Sequence, residues 1–270
     1  MLILPRAGAR TKPRGVVLYE GPSRLDGGPV VAVATGLRRP SANGKTGNMV
    51  QTWVLRADVN PLAAIHSGAD ASVCGACPLR GVLEPLPNGK HGTVNRRRAC
   101  YVAVHQAPLA VFRAYEHGAY KPFDPREHLQ LFKGRRLRLG SYGDPVAAPH
   151  HVWASLCRVA DGWTGYSHGW REPRFWPFRR LLMASVHSSD EALEAWARGW
   201  RTFRTGPAGE QPARREYACP AAAENGKRTT CERCGGCNGA SGKPGRANVV
   251  IWAHGSPATL GCYNRLFGGV

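Results

Sequence analysis

The sequence predicts an α/β fold built on a parallel sheet, open or closed as a barrel, and two observations carry that prediction. Beyond residue 100, short apolar runs alternate with segments of helical periodicity. The connections are rich in turn formers, with 33 glycines and 21 prolines in 270 residues. In β–α–β folds of this kind a site gathers at the C-terminal ends of the strands.

Residues 1–29 read as an irregular lead-in. Val30 to Thr35 is apolar and β-branched, which predicts a buried strand, and Gln51 to Leu55 predicts a second after the polar loop Ser41–Gly47. Residues 67–100 carry Cys74, Cys77 and Cys100 together with Pro78, Pro85, Pro87, Gly89 and Gly92, so little regular structure is expected there. Ala107 to His117 has helical spacing. Strands are then predicted at Leu137–Gly140, Trp163–His168, Leu181–Val186, Trp200–Arg204 and Asn248–His254. Between them, Pro149 suits the first turn of a helix whose apolar face is Val152, Trp153, Leu156 and Val159. Ser188 or Ser189 suits the cap of another, with Asp190 and Glu191 in its first turn and Gly199 at its end. The domain reading is a lead-in over 1–29, a barrel-like domain over 30–210 and a cysteine-rich segment over 211–270.

No apolar run reaches the ~18 residues of a membrane span, and the apolar start before Pro5 is too short for a signal-peptide core. A cytoplasmic protein is therefore expected. In a reducing compartment nine cysteines, an odd number, argue for metal or redox chemistry over a disulfide framework. The formal net charge of +19 attracts polyanions, so nucleic acid or a nucleotide is the expected partner.

Cys219, Cys231, Cys234 and Cys237 form the stronger cysteine motif. Two successive C-x2-C steps, eased by Gly235 and Gly236, put three thiols on one tight loop, and Cys219 completes a set of four. Four thiolates close a structural zinc site, and the same spacing serves a four-iron cluster, so both metals stay open. Cys74, Cys77 and Cys100 form a three-thiol set, which would leave one metal position open. The alternative is a zinc clasp completed by His66, His91 or His105. Cys157 falls on the apolar face of a helix and reads as a packed thiol. At strand ends stand Ser141 to Asp144, His168, Ser185 with His187, Arg204 and His254.

Along residues 21–256 the chain resembles a phage- and bacterially encoded protein family distantly related to radical S-adenosylmethionine (SAM) proteins. The resemblance rests on Gly21-Pro22-Ser23, Asn43 to Gly47, Gln51-Thr52-Trp53, Cys74, Cys77 and Cys100-Tyr101, Leu139 to Pro145, Thr164 to His168, Met183-Ala184-Ser185, Trp200 to Arg204, the Cys219–Cys237 set and Ala253-His254-Gly255. It implies a partial or open (β/α) barrel with a [4Fe–4S] cluster on Cys74, Cys77 and Cys100. Gly143, Asp144 and Pro145 would contact SAM, with Asp144 at its amine. His168, Ser185 and Arg204 would line the barrel mouth. The Cys219–Cys237 set would be an auxiliary cluster or a zinc knot. The chain departs from the usual C-x3-C-x2-C spacing, because a long segment with Arg96-Arg97-Arg98 separates Cys77 from Cys100.

Two functions follow as expectations. One is a radical-SAM-like iron–sulfur enzyme acting on nucleic acid or a nucleotide. The other is a non-enzymatic, zinc-stabilised nucleic-acid-binding protein. In the second, arginines at 96–98, 135–138, 171–180 and 198–204 would contact phosphates, while Trp170, Phe175, Trp176 and Phe178 stack on bases. For Trp163, Trp196 and Trp200, core packing is the expectation. A hydrolase or nuclease finds little support, since no two-metal carboxylate pair is visible.

Overall fold

The computed structural model of the chain describes residues 12–39, 41, 43–86, 93–241 and 246–268. Pro87, Gly89, His91 and Gly92 lie outside the described residues. The first elements among the described residues form an antiparallel meander of β1 (Gly15–Pro22), β2 (Pro29–Thr35) and β3 (Val50–Arg56). Runs of valine with aromatic neighbours suit this pleated, buried surface, and Val30 to Ala34 are fully buried. β1 departs from the irregular lead-in read over residues 1–29: Gly15, Val16, Val17 and Tyr19 to Pro22 pair with β2, with a register shift at Leu18.

The stretch from 67 to 100 is more ordered than its prolines and glycines suggested. It follows α1 (Pro61–Ser67) and contains α2 (Ala71–Cys74), a 3-10 turn (Pro78–Arg80) and a hairpin of β4 (Val82–Pro85) and β5 (Thr93–Arg96). Then come α3 (Ala107–Glu116), β6 (Lys121–Pro122), α4 (Pro125–His128), β7 (Arg136–Tyr142), α5 (His150–Val159), β8 (Gly162–Ser167), β9 (Met183–Val186), α6 (Ser189–Ala197), β10 (Thr202–Gly206), β11 (Glu216–Ala218), α7 (Cys231–Cys234), β12 (Asn248–Trp252) and α8 (Pro257–Phe267). Ser188 caps α6 by accepting from Glu191 N–H, and Gly199 takes the left-handed backbone after it, at φ +75°.

One ten-stranded sheet runs β11-β12-β10-β9-β8-β7-β3-β2-β1-β6. Apart from the β1–β2–β3 meander its pairings are parallel. The sheet ends on β11 and β6 and does not close. Its register breaks where Gln51 pairs with Arg138 but Trp53 pairs with Tyr142. Thr52 fills the break: its hydroxyl donates to the Arg138 carbonyl at 3.1 Å and accepts from Gly140 N–H at 3.0 Å. Gly140 is required there. It sits at φ +66°, and a Cβ would lie 2.6 Å from the Gly143 carbonyl oxygen.

The main core lies between the sheet and α5, α6 and the 3-10 segment Pro173–Arg180, with Leu137, Leu139, Trp153, Leu156, Trp170, Phe175, Phe178 and Trp200 fully or almost fully buried. Trp200 meets the packing expectation, and Trp163 and Trp196 pack partly buried against the same cluster. Trp170, Phe175 and Phe178 are core residues, which removes them from any base-stacking surface. Their arginine neighbours are tied locally: Arg171 bonds Glu191 and Glu194, and Arg174 bonds Glu172.

Arg204 has a different place from the one expected. It is 1% exposed, and its guanidinium forms a fork on the wholly buried Glu216 carboxylate, with a further bond to Glu210 at 2.6 Å. Three donors engaged with two carboxylates make it a packing ion network and not a barrel-mouth group. Removing one partner of a buried pair leaves the other charge desolvated and unpaired. Arg204→Ala should therefore cost about 3–5 kcal/mol in urea unfolding, and Arg204→Ala combined with Glu216→Ala should cost less than the sum of the two single changes.

Candidate functional site

Two adjoining cavities, of about 310 and 140 Å³, share Tyr101, Val102, Arg138, Ser141, Tyr166 and Phe203 as common wall. The wall is built by strand alternation: Gln51 and Trp53 of β3, Arg138 of β7, Thr164 and Tyr166 of β8, Phe203 of β10, and Val249 and Ile251 of β12 all face the larger cavity. The smaller cavity receives Cys74, Cys77 and Cys100, with Gly143, Asp144, His168 and Ser185. The larger receives Cys219, Cys231, Cys234 and Cys237. The tertiary fold thus gathers all seven singled-out cysteines around one shared space.

A buried carboxylate organises the first set. Asp70 is fully buried directly before α2. Its Oδ1 accepts from Arg80 Nε and Nη2 at 3.1 and 2.9 Å, and Arg98 Nη1 lies 3.6 Å from its Oδ2. Arg98 also donates to the Arg80 carbonyl. Cys74 ends α2, Cys77 precedes the turn that ends in Arg80, and Cys100 follows Arg98 by two residues. One ion cluster therefore ties together the three segments that carry the thiols. Burial pushes the Cys77 thiol up to about 12, with the nearby Cys100 adding to the rise. Cys74 is raised by burial first and then by Cys77 and Cys100. Without a cation between them, such thiols stay protonated.

Gly143, Asp144 and Pro145 form the turn after β7. Gly143 sits at φ +79°, and a Cβ would lie 2.5 Å from the Val54 carbonyl and 2.8 Å from Val73 Cγ1. Asp144 N–H donates to the Val73 carbonyl at 2.8 Å, which fixes the turn to α2. Its carboxylate accepts from Val146 N–H, the Ser167 hydroxyl and His168 N–H at 2.8–3.1 Å. Burial pushes Asp144 up to about 6 against these bonds. The Gly169 N–H is a fourth donor to the same carboxylate, and a carboxylate offers about four acceptor positions, so its hydrogen-bonding capacity is met within the chain. Pro145 accepts the Trp153 indole N–H through its carbonyl at 2.7 Å.

Asp144 holds His168 by the backbone, and the imidazole reaches both a thiol and a second histidine. His168 Nε2 lies 3.8 Å from Cys77 Sγ and 3.1 Å from His187 Nε2. The two rings stack at 8°. Burial lowers His168 to about 3, helped by His187, and lowers His187 to about 4. Both rings are thus neutral at pH 7, one donating and the other accepting. Phe267 of α8 stacks on His187 at 4.3 Å. The histidine beside the first thiol set is therefore His168, rather than the His66 or His105 of the clasp alternative. Ser185 lies on the smaller cavity's wall, and its carbonyl accepts from the Trp170 indole.

The second set is docked on the turn Asn43–Asn48. Cys231 N–H donates to the Lys45 carbonyl at 2.9 Å, Glu232 N–H to the Thr46 carbonyl at 3.1 Å, and Asn48 N–H to Glu232 Oε2. Thr230 caps α7, and Gly235 ends it in the left-handed conformation at φ +58°. The Cys237 carbonyl accepts from Gly165 N–H in β8. Cys219 N–H bonds the Val250 carbonyl in β12. Burial pushes Cys237 up to about 12, and Cys219 rises chiefly by burial, with Cys231 and Cys234 contributing. Among the described residues, no group of three or more His, Cys, Asp or Glu side chains is placed to hold one metal ion. Cys157 is a packed thiol on α5, pushed up by burial.

Asp70 belongs to this site but was not singled out from the sequence, and Arg138, Tyr166 and Lys45, which stood in stretches noted there, were not assigned to it. For Arg138 a signal existed, a charge between two leucines in a buried strand. For Asp70 there was none, because its partners Arg80 and Arg98 lie 10 and 28 residues away in a segment read as irregular.

Asp70→Asn removes the charge that pairs Arg80 with Arg98. It should speed labelling of Cys74, Cys77 and Cys100 by a thiol reagent at least about tenfold through local opening. Cys157 should be unaffected, and peptide mapping by mass spectrometry reads both.

The chain matches no family model, no curated protein and no solved structure, so the fold and the site are read from their own residues and geometry.

Proposed function

We propose that this protein is a thiolate-ligated metalloprotein, an iron–sulfur enzyme of the radical SAM type on an open (β/α) barrel, acting on nucleic acid or a nucleotide. The observation that carries the reading is the meeting of Cys74, Cys77 and Cys100 with the Cys219–Cys237 set around one cavity. The contiguous parallel strands β3, β7, β8, β9, β10 and β12 support the barrel description.

The residues fit such groups in kind and in number. Cys74, Cys77 and Cys100 would hold a [4Fe–4S] cluster, and Cys219, Cys231, Cys234 and Cys237 would hold a second cluster or zinc. Their side chains as they stand are not converged on a single ion. Held by the three thiolates of the first set, a four-iron cluster would supply an open iron position and an electron for the reductive cleavage of SAM. The protein's own residues have distinct tasks. Asp144 fixes the turn against α2 and holds the His168 backbone beside the first thiol set. His168 and His187, both neutral, shield the Cys77 side from water and can pass a proton between their Nε2 atoms. Arg98 supplies positive charge beside the first thiol set.

Protein purified without oxygen should be brown, absorb near ~400 nm, and contain about four or eight irons with matching sulfide. Replacing Cys74, Cys77 and Cys100 by alanine should remove about four irons and abolish reductive cleavage of SAM. A colourless protein holding only zinc would sink the iron–sulfur reading and favour the zinc-stabilised, nucleic-acid-binding alternative.

A further inference from the structure

Several arginines of this chain are engaged by local partners. Arg80 and Arg98 hold Asp70, Arg171 holds Glu191 and Glu194, Arg198 holds Glu194, and Arg204 holds Glu216. Arg135 donates to the Gly36 carbonyl, and Arg201 to the Gly239 and Ala247 carbonyls. Arg138 differs. It stands on the wall shared by the two cavities, 4.5 Å over the Tyr166 ring; its partners are the Tyr166 side chain and, at a long 3.5 Å, the Thr164 hydroxyl, with Cys231 nearby, and none of these is a carboxylate. Lys45 joins it on the larger cavity, and among the described residues no Asp or Glu lines that cavity. A partly buried guanidinium is costly to desolvate unless an anion answers it.

The walls beside these cations are aromatic. Trp53, Tyr101, Tyr166 and Phe203 face the larger cavity, and the Tyr166 and Phe203 rings stand 4.3 Å apart. A cavity of about 310 Å³ is in the range of small-ligand sites. Aromatic faces recognise a nucleobase by stacking, and arginine recognises phosphate through its planar fork. A ligand with both parts satisfies both walls.

We infer that the larger cavity binds a nucleotide, with its phosphate on Arg138 and Lys45 and its base against the Tyr101, Tyr166 and Phe203 rings. This deepens the function proposed above by naming how its substrate is held, and it rests on that reading only for the chemistry that follows binding. The nucleotide is either free or one unit of a single strand; the binding chemistry is the same.

The test is calorimetric titration of the anaerobically purified full chain with nucleoside 5′-monophosphates, the matching nucleosides and a short single-stranded oligonucleotide. Iron, zinc and the melting temperature are measured on the same samples. A monophosphate should bind at least about tenfold tighter than its nucleoside, since a charge-assisted phosphate contact is worth that much. Arg138→Gln should erase the difference, Arg138→Lys should retain part of it, and Arg126→Gln, an exposed arginine on α4, should leave it intact. Should Arg138→Gln fail to fold, Lys45→Gln gives the same readout from the second cation. Tighter binding of the oligonucleotide assigns the strand as source, and equal or weaker binding assigns the free nucleotide. Equal affinity for nucleotide and nucleoside, or no binding of either, overturns the inference. So does loss of metal in Arg138→Gln with nucleotide affinity unchanged, which makes Arg138 a counter-charge for the thiolates. Nucleotide binding by a protein without metal would instead overturn the metalloprotein reading and leave this inference standing.

Discussion

The parallel ladder from β3 to β12, with its one break between β3 and β7, is the constraint on which the site depends. Parallel pairing sets Gln51 beside Arg138 and Arg138 beside Thr164, and further along sets Ser185 beside Phe203 and Phe203 beside Val249. Because successive side chains of a strand point to opposite faces, one register choice sends this whole row to the cavity and sends Leu137, Leu139 and Ala184 to the core. A shift of one residue in β7 would bury Arg138 among the core aliphatics and put a leucine on the cavity wall. The break at Thr52 and Gly140 allows β7 to keep that register and still turn into Gly143 and Asp144.

Charge then fixes what the ladder leaves loose. The two cysteine sets lie on connections outside the sheet, where backbone pairing alone would hold them weakly. Asp70, with Arg80 and Arg98, clamps the first set, and the carbonyls of Lys45 and Thr46 dock the second. These arginines are held by carboxylates and carbonyls of the chain itself, and such pairing leaves the net charge at +19. The informative cation is Arg138, whose neighbours are aromatic rings and thiols.

Arg204 and Arg138 show how far residue type and position carry an argument. Both sit in strands, and the strand-end rule selected Arg204. Alternation placed Arg204 with Glu210 and Glu216, and Arg138 in the cavity. Which face of a strand is inside depends on what packs over each face, and an apolar run gives no period to read. Glu216 is 12 residues from Arg204 in a segment with no strand signal, so their pairing was invisible. Trp170, Phe175 and Phe178 likewise resembled a stacking surface until they folded into the core, whereas Trp176 of the same segment stays exposed.

By itself the sequence determined the strand–helix alternation, most strand positions beyond residue 29, the cap of α6, and the grouping of cysteines into two sets. These depend on local spacing, side-chain branching and turn chemistry, which act over a few residues. The tertiary structure alone decided that the two sets share one cavity, that His168 is the histidine beside Cys77, that Asp70 holds the first set together, and that Arg138 faces inward. Each of these joins residues from separate strands or loops. Register and burial create such contacts only once the sheet has assembled.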